Sequence, residues 1–222
     1  MINSLQPIFA KVSLPFLLVS LAGCGFLQQT KGSGQSKTET REVAKFSSVS
    51  LSGVGKVIIK QTGKESLSVT AEDNLLPLLE TTVVDGKLSL GPKKGASINP
   101  TKPIEFVVEV KDLQGLEISG AGEMEMKDLQ TDRLKVDLSG VGQVNLSGKV
   151  DEFVLDMSGA GDFQGADLQT KTATIECSGA GRAVVNVSDI LDVSVSGAGS
   201  VEYLGSPKVK KSISGVGSVK KR

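Results

Sequence analysis

The chain of 222 residues contains no histidine and no tryptophan, and it has one tyrosine and two cysteines. Without histidine it cannot form a Ser-His or Cys-His nucleophile pair, and it offers no imidazole to a metal ion. Basic and acidic residues are equal in number, 25 of each. Because neutralising nucleic-acid phosphates requires a strong basic excess, no nucleic-acid partner is predicted. No catalytic residue and no cofactor are predicted either.

Residues 1–23 have the features of an export signal. Lys11 is the only charge ahead of an apolar run over residues 12–22, which is too short for a typical membrane-spanning helix. The run ends in Leu21-Ala22-Gly23-Cys24, which resembles the bacterial lipobox. The resemblance implies cleavage after Gly23 and acylation of Cys24, with palmitate-type chains holding the protein in a membrane. The alternative is an ordinary cleaved signal with an incidental cysteine.

Residues 24–45 are predicted to form a flexible tether, because the stretch over 28–42 is rich in Gly, Ser, Thr, Lys and Gln and nearly devoid of apolar residues. In Gram-negative lipoproteins an aspartate directly after the acylated cysteine favours the inner membrane. Gly25 stands there in this chain. By this resemblance the protein is expected in the cell envelope, anchored to the outer membrane.

A Ser-Gly-(Val/Ala)-Gly motif occurs seven times, and the last six copies are spaced by 20, 19, 20, 18 and 18 residues. A fixed period of this size is typical of solenoid architectures. The motifs begin at Ser52, Ser119, Ser139, Ser158, Ser178, Ser196 and Ser214.

Apolar residues alternate with polar residues on both sides of each motif, which predicts strands with one buried face. The position before the serine forms the column Leu51, Ile118, Leu138, Met157, Cys177, Val195 and Ile213. Each Gly-x-Gly predicts a corner that requires either a positive φ or a close backbone approach. Two clear strands and a weaker third segment per period predict an all-β, parallel β-helix with coils of about 18–20 residues. A serial β-hairpin meander is the rival.

Residues 46–222 are thus predicted to form one β-helix domain with two parts. Residues 119–222 carry the regular repeats, whereas residues 46–118 interrupt the period and are predicted to form irregular early coils. Asp85-Gly86 predicts a hairpin between two strands within the irregular part.

The repeated motif, the early strand Leu51-Ser52-Gly53-Val54-Gly55-Lys56-Val57-Ile58-Ile59 and the lipoprotein signal together resemble the putative auto-transporter adhesin, head GIN domain family. The resemblance covers residues 46–219. It implies a right-handed parallel β-helix on an envelope or secreted protein, with adhesion as a nominal activity. It supplies no catalytic residues.

Carboxylates recur at the outward position two residues before the motif serine. Stacked like charges repel, so a cation such as Ca²⁺ or a basic partner bound there would relieve a cost. The alternative is a solvated face that keeps the domain soluble. The four carboxylates of this acidic column belong to Glu117, Asp137, Asp156 and Glu176.

The favoured function is a non-enzymatic binding, adhesion or structural role in the cell envelope. The expected partners are the membrane, through the lipid anchor, and an envelope polymer or protein. A polysaccharide-processing enzyme is the alternative, because many β-helices cleave acidic sugars, although nothing distinguishes two carboxylates as an acid/base pair. The sequence leaves the ligand and the oligomeric state open.

Overall fold

The computed structural model describes residues 29–222, so the predicted signal peptide and Cys24 lie outside the described residues. The described chain is all-β apart from a single 3-10 turn at Leu76–Leu78. No helix in this part of the chain is long and apolar enough to span a membrane.

Seventeen strands make up the described chain. The first nine are β1 Thr30–Lys31, β2 Ser36–Arg41, β3 Ser48–Leu51, β4 Val54–Gln61, β5 Ser66–Glu72, β6 Leu79–Val84, β7 Lys87–Pro92, β8 Ile98–Asn99 and β9 Glu105–Val110. The other eight are β10 Gly115–Ile118, β11 Ala121–Leu138, β12 Gln143–Met157, β13 Asp162–Cys177, β14 Arg182–Val195, β15 Ser200–Gly205, β16 Lys208–Ile213 and β17 Ser218–Lys221.

The long strands β11 to β14 each follow one coil of a parallel β-solenoid. Each pairs in parallel with the next, and residues one motif apart lie opposite each other, as in the series Leu138, Met157, Cys177. Because equivalent residues stack at every step, the predicted parallel β-helix is confirmed and the hairpin meander is wrong for the regular repeats. A right-handed coil stays a prediction.

Two ladders of strands run along the solenoid, one on each side of the motif corners. The ladder before the motifs contains β6, β7, β3, β10, the later halves of β11 to β14, and β16. The ladder after the motifs contains β2, β5, β9, β4, the earlier halves of β11 to β14, β15 and β17. A register shift after Met126 in β11 begins the short third side of the coil.

The early coils are stacked in a different order from their order in the sequence. The coil made by β3 and β4 lies between the later β7/β9 coil and the β10/β11 coil. The antiparallel strands β2, β5 and β6 then close this end. Together with the turn at Leu76–Leu78, the pair β1/β8 and the loops around β8 over residues 93–104, they form the N-terminal cap. The predicted hairpin is confirmed between β6 and β7, with Asp85 and Gly86 at positive φ.

The apolar columns predicted from the alternation fill the interior of the solenoid. Residues before and after each motif are buried, and the predicted third segment also points inward at Leu129, Val150, Leu168 and Val187. Large and small side chains compensate each other between neighbouring coils. Phe153 and Phe163 stack with 5.1 Å between ring centroids, and Ala173 and Ala183 lie next to them in the following coil.

The motif glycines allow the corners of successive coils to touch. A Cβ on Gly159 would lie 2.1 Å from the carbonyl oxygen of Gly140, and one on Gly179 would lie 1.9 Å from that of Gly159. The Ala160 amide donates to the same Gly140 oxygen at 3.1 Å, so the parallel ladder continues through the corner. Positive φ applies only to the first motif, at Gly53 and Gly55. Close approach is therefore what the six later motifs require.

The predicted flexible tether over residues 24–45 is wrong for the segment from Thr30 to Arg41. β1 pairs with β8, and β2 pairs antiparallel with β5. Strand β2 is an edge strand with mostly exposed side chains, so its main-chain hydrogen bonds hold it without apolar residues. The Arg41 guanidinium also donates to the carbonyl oxygens of Leu76, at 2.6 Å, and Leu79, at 3.0 Å.

We expect Gly159→Ala to lower the free energy of unfolding by about 1–3 kcal/mol or more, because the new methyl group meets backbone rather than a flexible side chain. Urea denaturation of the purified domain measures the change. The control is Val141→Ala in the neighbouring motif, since Val141 is 70% exposed and should shift the value by no more than about 0.5 kcal/mol. Equal effects of the two substitutions would contradict the stacked-corner explanation.

Candidate functional site

The acidic column lies on the ladder before the motifs, where the alternation placed it. Glu117 is in register with Asp137, Asp137 with Asp156, and Asp156 with Glu176. The side chains of the first three are 36–41% exposed. The column continues at its far end as Ser194 and Ser212. The predicted outward stacking of the four carboxylates is thereby confirmed.

Two lysines form ion pairs with three of the four carboxylates of this column. Lys87 binds Glu117 at 2.8 Å, and Lys135 binds Asp137 at 3.2 Å and Asp156 at 3.0 Å. Neither lysine was predicted from the sequence as a partner of these carboxylates. The signal for Lys135 was present, because residues two apart in a strand project from the same face, so Lys135 and Asp137 both point outward.

The electrostatics of Asp137 reflect its position between a carboxylate and a lysine. Partial burial raises the pKa of Asp137, the Lys135 ammonium lowers it, and hydrogen bonding with Asp156 raises it again. Hydrogen bonds to Asp156 and Asp137 raise the pKa of Lys135 in turn. The Lys135 ammonium therefore contacts both carboxylates and screens the repulsion between Asp137 and Asp156.

No three Asp, Glu, Cys or His side chains converge as a metal site within residues 29–222. The repulsion that motivated a cation at the acidic column is already relieved at three of its four members. Binding of Ca²⁺ or a basic partner at Glu117, Asp137, Asp156 and Glu176 stays a prediction, and the flanking lysines weaken its physical motivation.

Cys177 lies in the inward column, with 2% of its surface exposed. Burial raises the pKa of the Cys177 thiol, which disfavours the reactive thiolate. The Cys177 Sγ packs against Gly199 so closely that a Cβ on Gly199 would lie only 2.2 Å from it. Its predicted role in core packing is confirmed.

A buried carboxylate holds the N-terminal cap together. Glu72, at the end of β5, is fully buried and accepts hydrogen bonds from the amides of Gly34 at 2.6 Å and Thr101 at 2.8 Å. It also accepts from the Thr101 hydroxyl at 2.5 Å and the Lys102 amide at 3.3 Å. These bonds, led by that of the Thr101 hydroxyl, lower the pKa of Glu72 to about 2. No sequence pattern marked Glu72, because the alternation of β5 gives no sign of a buried charge.

The opposite end of the solenoid is basic and exposed. Strands β16 and β17 lie at the open edges of the two ladders, and all six residues of β16 are exposed. Lys211 takes the inward column that apolar residues fill elsewhere. Such charges on edge strands prevent edge-to-edge pairing. The basic residues of this end are Lys208, Lys210, Lys211, Lys220, Lys221 and Arg222.

Comparison with known protein families gives one match that covers most of the chain. The model of the family described as putative auto-transporter adhesin, head GIN domain, matches residues 45–207. No functionally curated protein matches the chain.

Several solved structures share the fold. A putative adhesin from Bacteroides fragilis is 24% identical, with a TM-score of 0.73, and the match covers 86% of this chain and 99% of that one. A putative lipid binding protein from Parabacteroides distasonis is 22% identical, with a TM-score of 0.58, and the match covers 88% of this chain and 100% of that one. A putative adhesin from Parabacteroides merdae is 19% identical, with a TM-score of 0.53 and coverage of 87% and 99%.

We expect Lys135→Met to raise the pKa of Asp137 further, because the substitution removes the cation that lowers it while burial and Asp156 remain. Carbon-detected NMR titration of the side-chain carboxylates measures this pKa. The matched control is Lys171→Met, which removes another exposed lysine that pairs with a carboxylate, Asp151, at 2.8 Å. An unchanged Asp137 titration in the Lys135 variant would refute the screening role.

Acid should weaken the cap through Glu72. Its pKa falls from an ordinary 4.5 to about 2 on folding, so the unfolded chain binds the proton more tightly. The stabilisation is therefore complete above about pH 4.5 and disappears as the pH falls through 2. We expect Glu72→Gln to be less stable than wild type at pH 7, with a gap that narrows between pH 4.5 and 2 in urea denaturation. The exposed Glu42→Gln serves as control, and a gap independent of pH would contradict the assignment.

Proposed function

Because the chain belongs to the putative auto-transporter adhesin, head GIN domain family, we propose that it is a lipid-anchored, non-enzymatic protein of the cell envelope. It binds an envelope polymer or protein through the outward faces of its solenoid. The observation that carries this proposal is the family match over residues 45–207, which spans nearly the whole solenoid.

The geometry favours binding over catalysis. The inward positions of the described coils are filled by side chains, which leaves the long outer faces of the two ladders as the surface available to a partner. Those faces repeat outward positions at every coil, about 4.8 Å apart. An elongated partner lying along the solenoid would therefore contact several coils at once.

The anchor is proposed at Cys24, on the strength of the lipobox Leu21-Ala22-Gly23-Cys24. Gly25 directs the acylated protein to the outer membrane by the rule for Gram-negative lipoproteins. The description of a structural neighbour as a lipid binding protein is consistent with a membrane location.

A polysaccharide-processing enzyme is the second candidate, and the pair Asp137 and Asp156 is the observation in its favour. The two carboxylates are adjacent, and the pKa of Asp137 is raised, as the acid of a glycosidase pair requires. Incubating the protein with immobilised polysaccharides distinguishes the candidates. We expect saturable binding without release of new reducing ends. Turnover that Asp137→Asn abolishes would establish the enzyme instead.

We expect Cys24→Ala to abolish acylation, because the variant lacks the thiol to which the lipid is attached. Metabolic labelling with a palmitate analogue, followed by membrane fractionation after a high-salt wash, measures the effect. Cys177→Ala removes the other cysteine and should keep the label, which makes it the matched control. If the Cys24 variant still partitions wholly with outer membranes after the wash, the anchor proposal is wrong.

A further inference from the structure

The chain is fixed to the N-terminal cap almost from its first described residue. The Gln29 side chain donates to the carbonyl oxygen of Ile98 at 3.2 Å, and β1 pairs with β8 directly afterwards. The side chain of Asn74 then donates to the carbonyl oxygen of Lys31 at 2.8 Å and accepts from the Ser33 amide at 3.0 Å. Residues 29–34, the arm, therefore belong to the folded cap.

The contour length of the remaining chain limits how far the cap can lie from the anchor. Five residue steps separate Cys24 from Gln29, and they span at most about 18 Å in any conformation. Seven coil spacings of about 4.8 Å place the β16/β17 coil roughly 34 Å beyond the β7/β9 coil. An anchor at Cys24 thus keeps Gln29, where the chain enters the cap, within about 18 Å of the bilayer, whereas the opposite end can lie roughly 34 Å farther away.

Four lysines lie on the arm and on the loops around β8 in the cap. Lys31 lies in β1, in register with Asn99 of β8. Lys93 begins a turn closed by the Ala96 amide, and the next residue, Ser97, accepts the Thr30 amide at 2.8 Å. All four lysines of this group are exposed, and none forms an ion pair within residues 29–222. The cap lysines are Lys31, Lys93, Lys94 and Lys102.

Two carboxylates lie on the same segments, Glu72 and Asp73, and they offset only two of the four lysine charges, which leaves a net charge of +2. Glu72 is buried and fully occupied by hydrogen bonds from Gly34, Thr101 and Lys102. Asp73 is exposed but is bonded to the Ser33 hydroxyl and the Asn74 amide. Four exposed ammonium groups therefore face solvent beside the entry point of the arm.

From the short stretch of chain between Cys24 and Gln29 and from these lysines, we propose that the N-terminal cap lies against the membrane. In this position the cap lysines contact anionic phospholipid headgroups. The proposal rests on the anchor proposed at Cys24. A basic residue held near an anionic membrane surface strengthens association about fivefold, and the attraction extends only about one Debye length, roughly 8–10 Å. Because only five residue steps separate Cys24 from Gln29, the cap lysines can come this close to the headgroups. The far-end lysines stay beyond this distance when the solenoid stands on its cap.

The test replaces natural acylation with a chemical link. The mature chain from Cys24 is coupled through that thiol to a maleimide lipid, since the buried Cys177 does not compete. Two kinds of vesicle are compared: phosphatidylcholine alone, and phosphatidylcholine mixed with the anionic lipid phosphatidylglycerol. Lysines are acetylated at a low reagent dose, and mass spectrometry gives the rate at each site. Lys208, Lys211 and Lys220 at the far end are the internal controls.

We expect the cap lysines to be acetylated at least threefold more slowly on the anionic vesicles than in solution, with unchanged rates at the far-end lysines. Protection at the far end, equal protection everywhere, or equal protection of the cap on neutral vesicles would each overturn the headgroup contact. Because the chemical link stands in for acylation, this outcome is separate from that of Cys24→Ala, which tests the natural anchor.

A variant provides the second measurement. With the Cys24 thiol blocked and no link to lipid, changing Lys31, Lys93, Lys94 and Lys102 to Gln should weaken binding to the anionic vesicles at least tenfold in co-sedimentation at low salt. The matched control changes Lys208, Lys211, Lys220 and Lys221 to Gln. A larger loss in the control than in the cap variant would show that the opposite end is the membrane-binding surface and would overturn the proposal.

Discussion

The close approach of successive coils at the motif corners is the constraint on which the rest of the solenoid depends. On the flat sides, side chains project away from the ladder, and neighbouring coils can exchange large for small residues, as Phe163 beside Ala183 shows. At a corner the chain turns, and a Cβ would point at the carbonyl oxygen of the coil before it, as at Gly159 and Gly140. Two glycines per corner keep the hydrogen-bonded spacing, and that spacing sets the register of every apolar column on either side.

Stacking in register also dictates how charge is distributed on the outside. A solenoid repeats each outward position at the strand spacing, so a column of one sign accumulates repulsion that grows with the number of coils. This chain relieves it sideways, because Lys135 stands two residues before Asp137 and bridges to Asp156 in the next coil. Lys135 therefore pairs with one carboxylate on its own strand and with one on the adjacent strand. Exposed pairs of this kind add little stability individually, and their main effect is to make like-charged columns tolerable.

The features that repeat could be predicted from the sequence, and the features that occur once could not. Period and alternation fixed the inward column through Leu138 and Met157, the outward acidic column and the corners. They carried no information on the order in which the early coils stack, because the β3/β4 coil lies between β7 and β10, which both follow it in the sequence. Polar composition was misleading for β2, since an edge strand needs main-chain partners rather than apolar residues. The buried Glu72 could not be predicted either, because its hydrogen-bond donors, on Gly34, Thr101 and Lys102, are distant from it in the sequence.

The two ends of the solenoid meet the same physical problem in different ways. A parallel ladder exposes unpaired amides and carbonyls at each end and offers them to any other strand. At the N-terminal end, antiparallel strands cover the ladder, and the buried Glu72 joins β5 to the arm and to the loop after β8. At the other end the edges stay open and charge alone protects them, with Lys211 standing where the column below has Val193. The closed end is thus the one to which the incoming chain is tied, so the same contacts close the core and fix the point at which the chain from residue 29 enters the fold.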